Sequence, residues 1–161
     1  MTTYLLKLGE LTLKGGNRQE FEQILKRNLT TMLKGTRAVI NCTQGRFFVH
    51  CETDQERQVE AVLDRLIGIA GWAKARPCDK TVEAVLEACV AEARALAAAG
   101  IRTFKIEARR ADKSFPLDSY GIMRAAGDAV CEAVPELQVD VQNPQQIISV
   151  EIRERAYVYG L

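Results

Sequence analysis

Short apolar strand patterns alternate with longer amphipathic segments in the first 76 residues. The strand patterns lie at residues 3–8, 38–42, 47–51 and 71–76. Between them, residues 17–33 and 54–67 carry apolar side chains three and four positions apart, as on one face of a helix. The order β-α-β-β-α-β predicts a ferredoxin-like module, in which two helices cover one face of a four-stranded sheet.

A new pattern begins at residue 77 and continues to the last residue. Helix patterns lie at residues 82–96 and 118–134, and strand patterns at residues 103–108, 137–141, 147–152 and 156–159, which predicts the order α-β-α-β-β-β. Thr81 is a good N-cap for the first helix, and Asp118 or Ser119 for the second. The apolar face of the second helix is predicted to hold Ile122, Met123, Ala126, Val130 and Val134. The fold class is therefore α/β (α+β), with domains at residues 1–76 and 77–161.

The composition excludes several classes of protein. The chain of 161 residues is 47% hydrophobic and 27% charged, as expected for a folded chain with a substantial core. No apolar run approaches the roughly 20 residues that a membrane-spanning helix needs. The N-terminus has neither the apolar stretch nor the cleavage site of a secretion signal. We therefore expect a cytoplasmic protein without a membrane partner.

Cysteine and histidine usage restricts the chemistry further. The cysteines are Cys42, Cys51, Cys78, Cys89 and Cys131, an odd number without a C-x-x-C pair. This pattern favours reduced, mostly buried thiols over a disulfide framework. His50 is the only histidine and lies in an alternating strand pattern. Zinc sites and Ser-His-Asp triads each lack an essential residue, so we predict neither a metal site nor a catalytic site.

The formal net charge of +1 conceals a strong segregation of charge along the chain. Residues 1–50 carry +5 and residues 101–124 carry +3, whereas residues 51–100 carry −3 and residues 125–161 carry −4. Basic segments that converge on one face would bind an anionic partner such as nucleic acid. Solvated helix faces explain the same runs of charge, so the charge pattern alone leaves both interpretations open.

Two stretches resemble signatures of one enzyme family. Residues 9–18 (GELTLKGGNR) resemble the start of the tRNA 4-thiouridine synthetases, which are tRNA sulfurtransferases also linked to thiamine biosynthesis. Residues 104–116 (FKIEARRADKSFP) resemble a THUMP domain, an RNA-binding module of several RNA-modifying proteins. Residues 141–144 (VQNP) and 150–153 (VEIR) follow at the expected later positions. The resemblance covers essentially the whole chain, as a ferredoxin-like domain followed by a THUMP domain.

The resemblance implies a role in tRNA modification. It implies that the chain binds the acceptor stem and 3′ end of tRNA and presents a distant uridine to an ATP-binding catalytic domain. That domain carries a Ser-Gly-Gly-x-Asp-Ser loop, which nothing in this sequence matches. The segment itself is therefore expected to hold no catalytic residue and no cofactor, with ATP and magnesium acting in the family's further domain. The resemblance also implies a cysteine desulfurase as sulfur donor to the full-length protein, an ATP-dependent tRNA sulfurtransferase, and allows a homodimer.

A different class of function stays open beside this one. A stand-alone THUMP adaptor would bind RNA and recruit a separate modifying enzyme through a protein contact. Continuation of the reading frame into a Ser-Gly-Gly-x-Asp-Ser segment would favour the sulfurtransferase over the adaptor.

The polar loop at residues 109–116 holds most of the candidate RNA-binding residues. Cations and a hydroxyl suited to a phosphate backbone come from Arg109, Arg110, Lys113 and Ser114. Phe115 has two interpretations, stacking on an unpaired base or a hydrophobic plug beside Pro116. Asp112 is expected to brace an arginine or to cap the backbone.

Three further cations complete the prediction. Lys105 alternates with Phe104 and projects from the opposite face of its strand, as a phosphate contact or a solvated side chain. Lys14 and Arg18 flank a glycine-rich approach to a helix N-terminus, which is either an anion cradle or an ordinary N-cap. Trp72 is expected to pack between the modules rather than to stack on a base.

Overall fold

The computed structural model describes residues 1–8, 18–43 and 46–160 of the chain. It divides the chain into two units, residues 1–74 and 75–161. The sequence pattern placed the corresponding boundary after residue 76.

The first unit has the predicted order of elements. These are β1 (Thr2–Leu8), α1 (Arg18–Met32), β2 (Val39–Thr43), β3 (Arg46–Cys51), a 3-10 turn (Thr53–Gln55), α2 (Glu56–Arg65) and β4 (Ile69–Cys78). The strands lie in the order β2-β3-β1-β4, with β3 antiparallel to both β1 and β2. The predicted ferredoxin-like β-α-β-β-α-β order is therefore confirmed.

In the first unit, alternate side chains of the strands form the face of the sheet that the two helices cover. Tyr4 and Leu6 on β1 share one buried face with Phe47 and Val49 on β3. The helices contribute Leu25, Leu29, Val59, Val62 and Leu63 to the same core. Gly68 follows α2 at φ +104°, with the Phe21 ring 3.1 Å from the position of a Cβ atom, so only glycine fits there without strain.

The second unit also follows the predicted order. Its elements are α3 (Val82–Ala98), β5 (Thr103–Arg110), α4 (Ser119–Ala133), β6 (Gln138–Val139), β7 (Gln146–Ile152) and β8 (Ala156–Tyr159). The strand order is β8-β7-β5-β6, with β5 parallel to β6 and β7, and β7 antiparallel to β8. Residues 75–78 of β4 pair antiparallel with β8. β6 is shorter than the predicted 137–141 because it pairs with β5 only at Thr103 and Phe104.

Helix caps and a shared core fix the two helices of the second unit. The Thr81 side chain accepts a hydrogen bond from the Ala84 N–H at 3.2 Å, and Asp118, not Ser119, accepts one from the Gly121 N–H at 2.7 Å. The core joins Cys89 and Ala93 of α3, Ile122, Ala126 and Val130 of α4, and Phe104, Ile106, Ile148 and Val150 of the sheet. Alternate residues of β5 therefore point away from the helices.

The five cysteines are free thiols, as the sequence predicts. Cys51 and Cys89 are buried and Cys42 and Cys78 are partly buried, but Cys131 is exposed on α4. Burial raises the pKa of the Cys89 thiol to about 12. Within the described ranges, no cluster of histidine, cysteine and carboxylate side chains could hold a metal ion, and no helix is long and apolar enough to cross a membrane.

Candidate nucleic-acid interface

Asp112 organises the loop that joins β5 to α4. One of its carboxylate oxygens forms an ion pair with the Lys80 ammonium, from the segment that precedes α3. The other oxygen accepts hydrogen bonds from the Ser114 N–H at 2.9 Å and the Ser114 hydroxyl at 2.6 Å. The hydrogen bonds from Lys80 and Ser114 hold the pKa of Asp112 well below its usual range. The expected backbone cap is therefore present, but the braced cation is a lysine rather than an arginine.

Arg110 and Phe115 hold the loop from within. The Arg110 guanidinium donates hydrogen bonds to the carbonyl oxygens of Lys113 at 3.4 Å and of Phe115 at 3.3 Å. Phe115 is only 4% exposed and belongs to the core of the second unit. Of the two interpretations of Phe115, this burial favours the hydrophobic plug over stacking on a base. Arg110 is a positioning residue of the loop.

Arg109 near the end of β5 and Lys113 in the following loop are exposed cations of this region. Both side chains are exposed, and neither forms an ion pair within the described part of the chain. Arg109 lies on the face of β5 that points away from the helices. The exposed Ser114 directs its hydroxyl proton to Asp112, so its oxygen is left as a hydrogen-bond acceptor. Of the candidates in this region, Arg109 and Lys113 are therefore the two cations whose charge no described residue pairs.

Lys105 lies apart from the loop. It precedes Arg109 by four positions on β5, a spacing of about 13 Å along a strand. Its ammonium is 3.2 Å from a carboxylate oxygen of Glu107. Lys105 is therefore separated from Arg109 along β5.

The first unit contributes one described candidate, Arg18. It is the first residue of α1, and its Nε atom lies 3.3 Å from a carboxylate oxygen of Glu22 in an exposed i,i+4 pair. Such pairs are weak and exchange readily with other anions. Lys14 and the rest of the glycine-rich segment, residues 9–17, lie outside the described residues.

Lys80 and Trp72 show what sequence reasoning missed. Lys80 is 32 positions from Asp112, and no local pattern marks such a pair in advance. Trp72 forms an edge-to-face contact with Tyr4, with ring centroids 5.3 Å apart, and donates a hydrogen bond to Asp64 at 2.9 Å. These contacts lie inside the first unit, so Trp72 packs within its own module rather than between the modules.

The fold thus joins a ferredoxin-like unit to a second α/β unit, in which exposed cations lie at and after the end of β5. Residues 3–73 match the family model of the ThiI ferredoxin-like domain, and residues 79–160 match that of the THUMP domain. The chain belongs to the THUMP-domain family, joined here to the ferredoxin-like domain of ThiI proteins. The resemblance drawn from residues 9–18 and 104–116 is thereby confirmed.

Curated relatives extend beyond the region that this chain represents. The chain is 45% identical over 162 residues to the probable tRNA sulfurtransferase of Treponema pallidum (strain Nichols). It is 40% identical over 157 residues to the probable tRNA sulfurtransferase of Thermoanaerobacter sp. (strain X514). These alignments include 99% and 97% of this chain but 40% of each relative. The chain thus spans about two fifths of their length.

Two solved structures match the whole chain. One is a crystal structure of a 4-thiouridine synthetase–RNA complex with bound ATP, with a TM-score of 0.83, 27% identity and coverage of 100% of this chain and 41% of that one. The other is PH1313 from Pyrococcus horikoshii, with a TM-score of 0.85, 27% identity and coverage of 100% and 54%.

Proposed function

We propose that this chain is the tRNA-binding region of a tRNA sulfurtransferase of the 4-thiouridine synthetase kind. It binds the acceptor stem and 3′ end of tRNA and presents the target uridine to an ATP-binding catalytic domain that these 161 residues do not contain. The probable tRNA sulfurtransferases among its relatives and the match to a synthetase–RNA complex support this role.

The braced loop after β5 is the observation that carries the proposal. Phosphate groups are bound well by cations that are exposed, uncompensated by carboxylates and already fixed in position. Arg109 and Lys113 meet these conditions, because Arg109 lies on β5, and Arg110, Asp112 and the buried Phe115 hold the loop that displays Lys113. Arg18 at the start of α1 adds a cation in the first unit.

The proposal assigns the sulfur chemistry to parts of the full-length protein outside these 161 residues and to a partner enzyme. ATP and magnesium would act in the catalytic domain, and a cysteine desulfurase would supply sulfur to the full-length protein. A persulfide carrier needs an accessible thiolate. Burial raises the pKa of the thiols of Cys89, Cys78, Cys51 and Cys42, so these four are poorly suited to that role.

The test replaces the two exposed loop cations and measures tRNA affinity against salt concentration. We expect Arg109→Ala plus Lys113→Ala to weaken binding about tenfold or more and to reduce the magnitude of the salt slope by about 2, because two phosphate contacts are lost. Arg94→Ala is the matched control, since Arg94 is an exposed arginine on α3 in the same unit.

Two results would contradict the proposal. One is an unchanged affinity and salt slope in the Arg109/Lys113 double variant. The other is an equal loss of affinity in the Arg94 control, which would indicate a diffuse effect of net charge rather than a site.

A further inference from the structure

β2 is the outermost strand of the sheet in the first unit. It pairs with β3 over Val39–Thr43, and the described residues provide no strand on its other side. Its five residues (VINCT) include no charged side chain and no proline, two of the features that protect sheet edges from further pairing. Val39 is 60% exposed. β2 therefore presents a strand edge to which a further strand can be added.

β6, the edge strand of the second unit, is protected in contrast. It consists of only Gln138 and Val139. The Asp140 carboxylate then accepts hydrogen bonds from the N–H groups of Gln142 at 3.2 Å and Asn143 at 3.0 Å, which turns the chain after the strand. A two-residue strand that ends in a turn offers little backbone to a further strand. The edge at β2 thus differs from the other strand edge of the described residues.

A cleft of about 310 Å³ lies between α1 and the hairpin of β2 and β3. Its lining comprises Gln19, Glu22, Gln23 and Lys26 of α1, with Cys42 of β2 and Phe47 of β3. Ile40 and Cys42 point to the face of the sheet that the helices cover, where they pack against the core. By the same alternation, every second side chain of a strand added beside β2 would point to the cleft.

The polar groups of the cleft are mainly hydrogen-bond donors. Lys26 is exposed and forms no ion pair with any residue that the structure describes. The side-chain amides of Gln19 and Gln23 add N–H donors. The carboxylate of Glu22 lies 3.3 Å from Nε of Arg18, which compensates its charge. This set of groups fits a carboxylate side chain, because hydrogen bonds from a cation to a carboxylate are the strong ones.

A second copy of the chain and RNA both fit this site less well. The side chains that a second β2 would bring to the cleft are Ile40 and Cys42, which are not anionic and already pack in their own core. The described lining offers RNA one uncompensated cation, and its aromatic ring, Phe47, is fully buried. A peptide strand would use the backbone edge as well as the donors.

We propose that the edge of β2, together with the cleft beside α1, binds an extended acidic segment of a protein partner by strand addition. The backbone of the segment pairs with β2, and one of its carboxylate side chains binds Lys26 and the amides of Gln19 and Gln23. This site goes beyond the proposed function, because it recruits a protein and Lys26 is not among the RNA-binding candidates.

The experiment titrates the complete 161-residue chain with capped peptides of about eight residues, the length of a typical strand. The probe alternates valine with glutamate, and the matched control alternates valine with lysine. At low salt, we expect the glutamate peptide to bind at least about tenfold more tightly than the lysine peptide, because the cleft is complementary to a carboxylate.

Pairs of charge-reversed variants locate the peptide on α1. Lys26→Glu should weaken binding of the glutamate peptide about fivefold or more. Arg27→Glu is the matched control, since Arg27 is the next residue of α1, is exposed and does not line the cleft. It makes the same change in net charge but should alter the affinity by less than about twofold.

Methylation of the peptide backbone tests strand addition without altering the protein. An added strand pairs with β2 through only one of its edges, which carries every second N–H group. Methylation of one alternate set of peptide nitrogens should therefore abolish binding, whereas methylation of the other set should be tolerated.

Four results would overturn this site and leave the proposed function standing. They are no binding of the glutamate peptide up to about 1 mM, equal effects of Lys26→Glu and Arg27→Glu, equal effects of the two methylation patterns, and a dimer of the chain that the glutamate peptide dissociates, which would assign the edge to a second copy. A loss of tRNA affinity in Lys26→Glu that Arg27→Glu does not show would assign the cleft to RNA and also overturn the site. The proposed function is tested separately, by tRNA binding of the Arg109/Lys113 double variant.

Discussion

The two units use the same kind of polar network for different purposes. In the first unit, the Lys74 ammonium lies 3.3 Å from Glu56 and 3.7 Å from Glu60, while the Tyr4 hydroxyl donates to Glu60 at 2.6 Å. All its members lie on regular elements, namely β1, α2 and β4. In the second unit, Lys80, Asp112 and Ser114 form a similar network, but it shapes the loop after β5. One network ties a sheet to its helix, and the other displays cations.

This difference shows that charge counts are a poor guide to a binding site. Residues 1–50 carry the larger positive excess, +5 against +3 for residues 101–124. Among the described candidates, however, Arg18 of the first segment is paired with Glu22, whereas Arg109 and Lys113 of the second form no ion pair with any residue that the structure describes. What distinguishes the loop is uncompensated charge on a fixed backbone.

The largest expected effect comes from removing the anchor of the loop. Phe115→Ala should cost about 3–5 kcal/mol of unfolding free energy, since it empties a site in the core of the second unit. At a temperature where the variant is folded, tRNA affinity should also fall, because the loop loses its anchor. Chemical denaturation and a tRNA titration measure the two effects.

Two control variants sharpen this result. Leu29→Ala in the core of the first unit should cost about 2–5 kcal/mol and leave tRNA affinity unchanged. Phe115→Leu should retain tRNA binding, because an aliphatic side chain can fill the core site of the Phe115 ring but cannot stack on a base. Loss of binding in Phe115→Leu would instead support the stacking role.

A smaller effect is expected from Asp112 and Glu60, the carboxylates that pair with Lys80 and Lys74 in the two networks. Asp112→Asn should weaken tRNA binding about three- to tenfold, because a loosened loop must be ordered when RNA binds. Glu60→Gln should change stability by at most about 1 kcal/mol, since its ion pair is at the surface, and should leave binding unchanged. Equal tRNA affinities of the two variants would show that the Asp112 brace does not position the loop.

The regular elements and their order were predictable from the sequence, because apolar periodicity reports directly on buried faces. The alternation of Phe104, Lys105 and Ile106 along β5 is correct in the structure. Met123 was placed on the apolar face of α4 yet is 39% exposed, since it lies at the margin of a stripe whose centre is Ile122 and Ala126.

The candidate site was less predictable than the fold. Side chains in a loop follow no period, so the sequence left two interpretations of Phe115 and could not assign Arg110 to the loop carbonyls. Lys80 lies 32 positions before Asp112 in the sequence, and only the packing of the second unit brings the two side chains together. β6 is shorter than predicted, because strand length depends on pairing rather than on local sequence alone.

The smallest expected effect is the loss of folding stability that each network causes as the pH falls. Hydrogen bonds from Lys80 and Ser114 lower the pKa of Asp112, and one from Thr2, with support from Lys74, lowers the pKa of Glu56. A carboxylate whose pKa is lowered by folding contributes stability above its unfolded pKa, about 3.9 for Asp and 4.3 for Glu, and loses it as the pH falls further. The contributions of Asp112 and Glu56 to stability should therefore be lost progressively below about pH 4.5. Denaturation between pH 7 and pH 3 should show a shallower loss in Asp112→Asn and in Glu56→Gln, and only the Asp112 variant should already have weaker tRNA binding at pH 7. An acid loss of stability that neither substitution reduces would place its origin in other carboxylates.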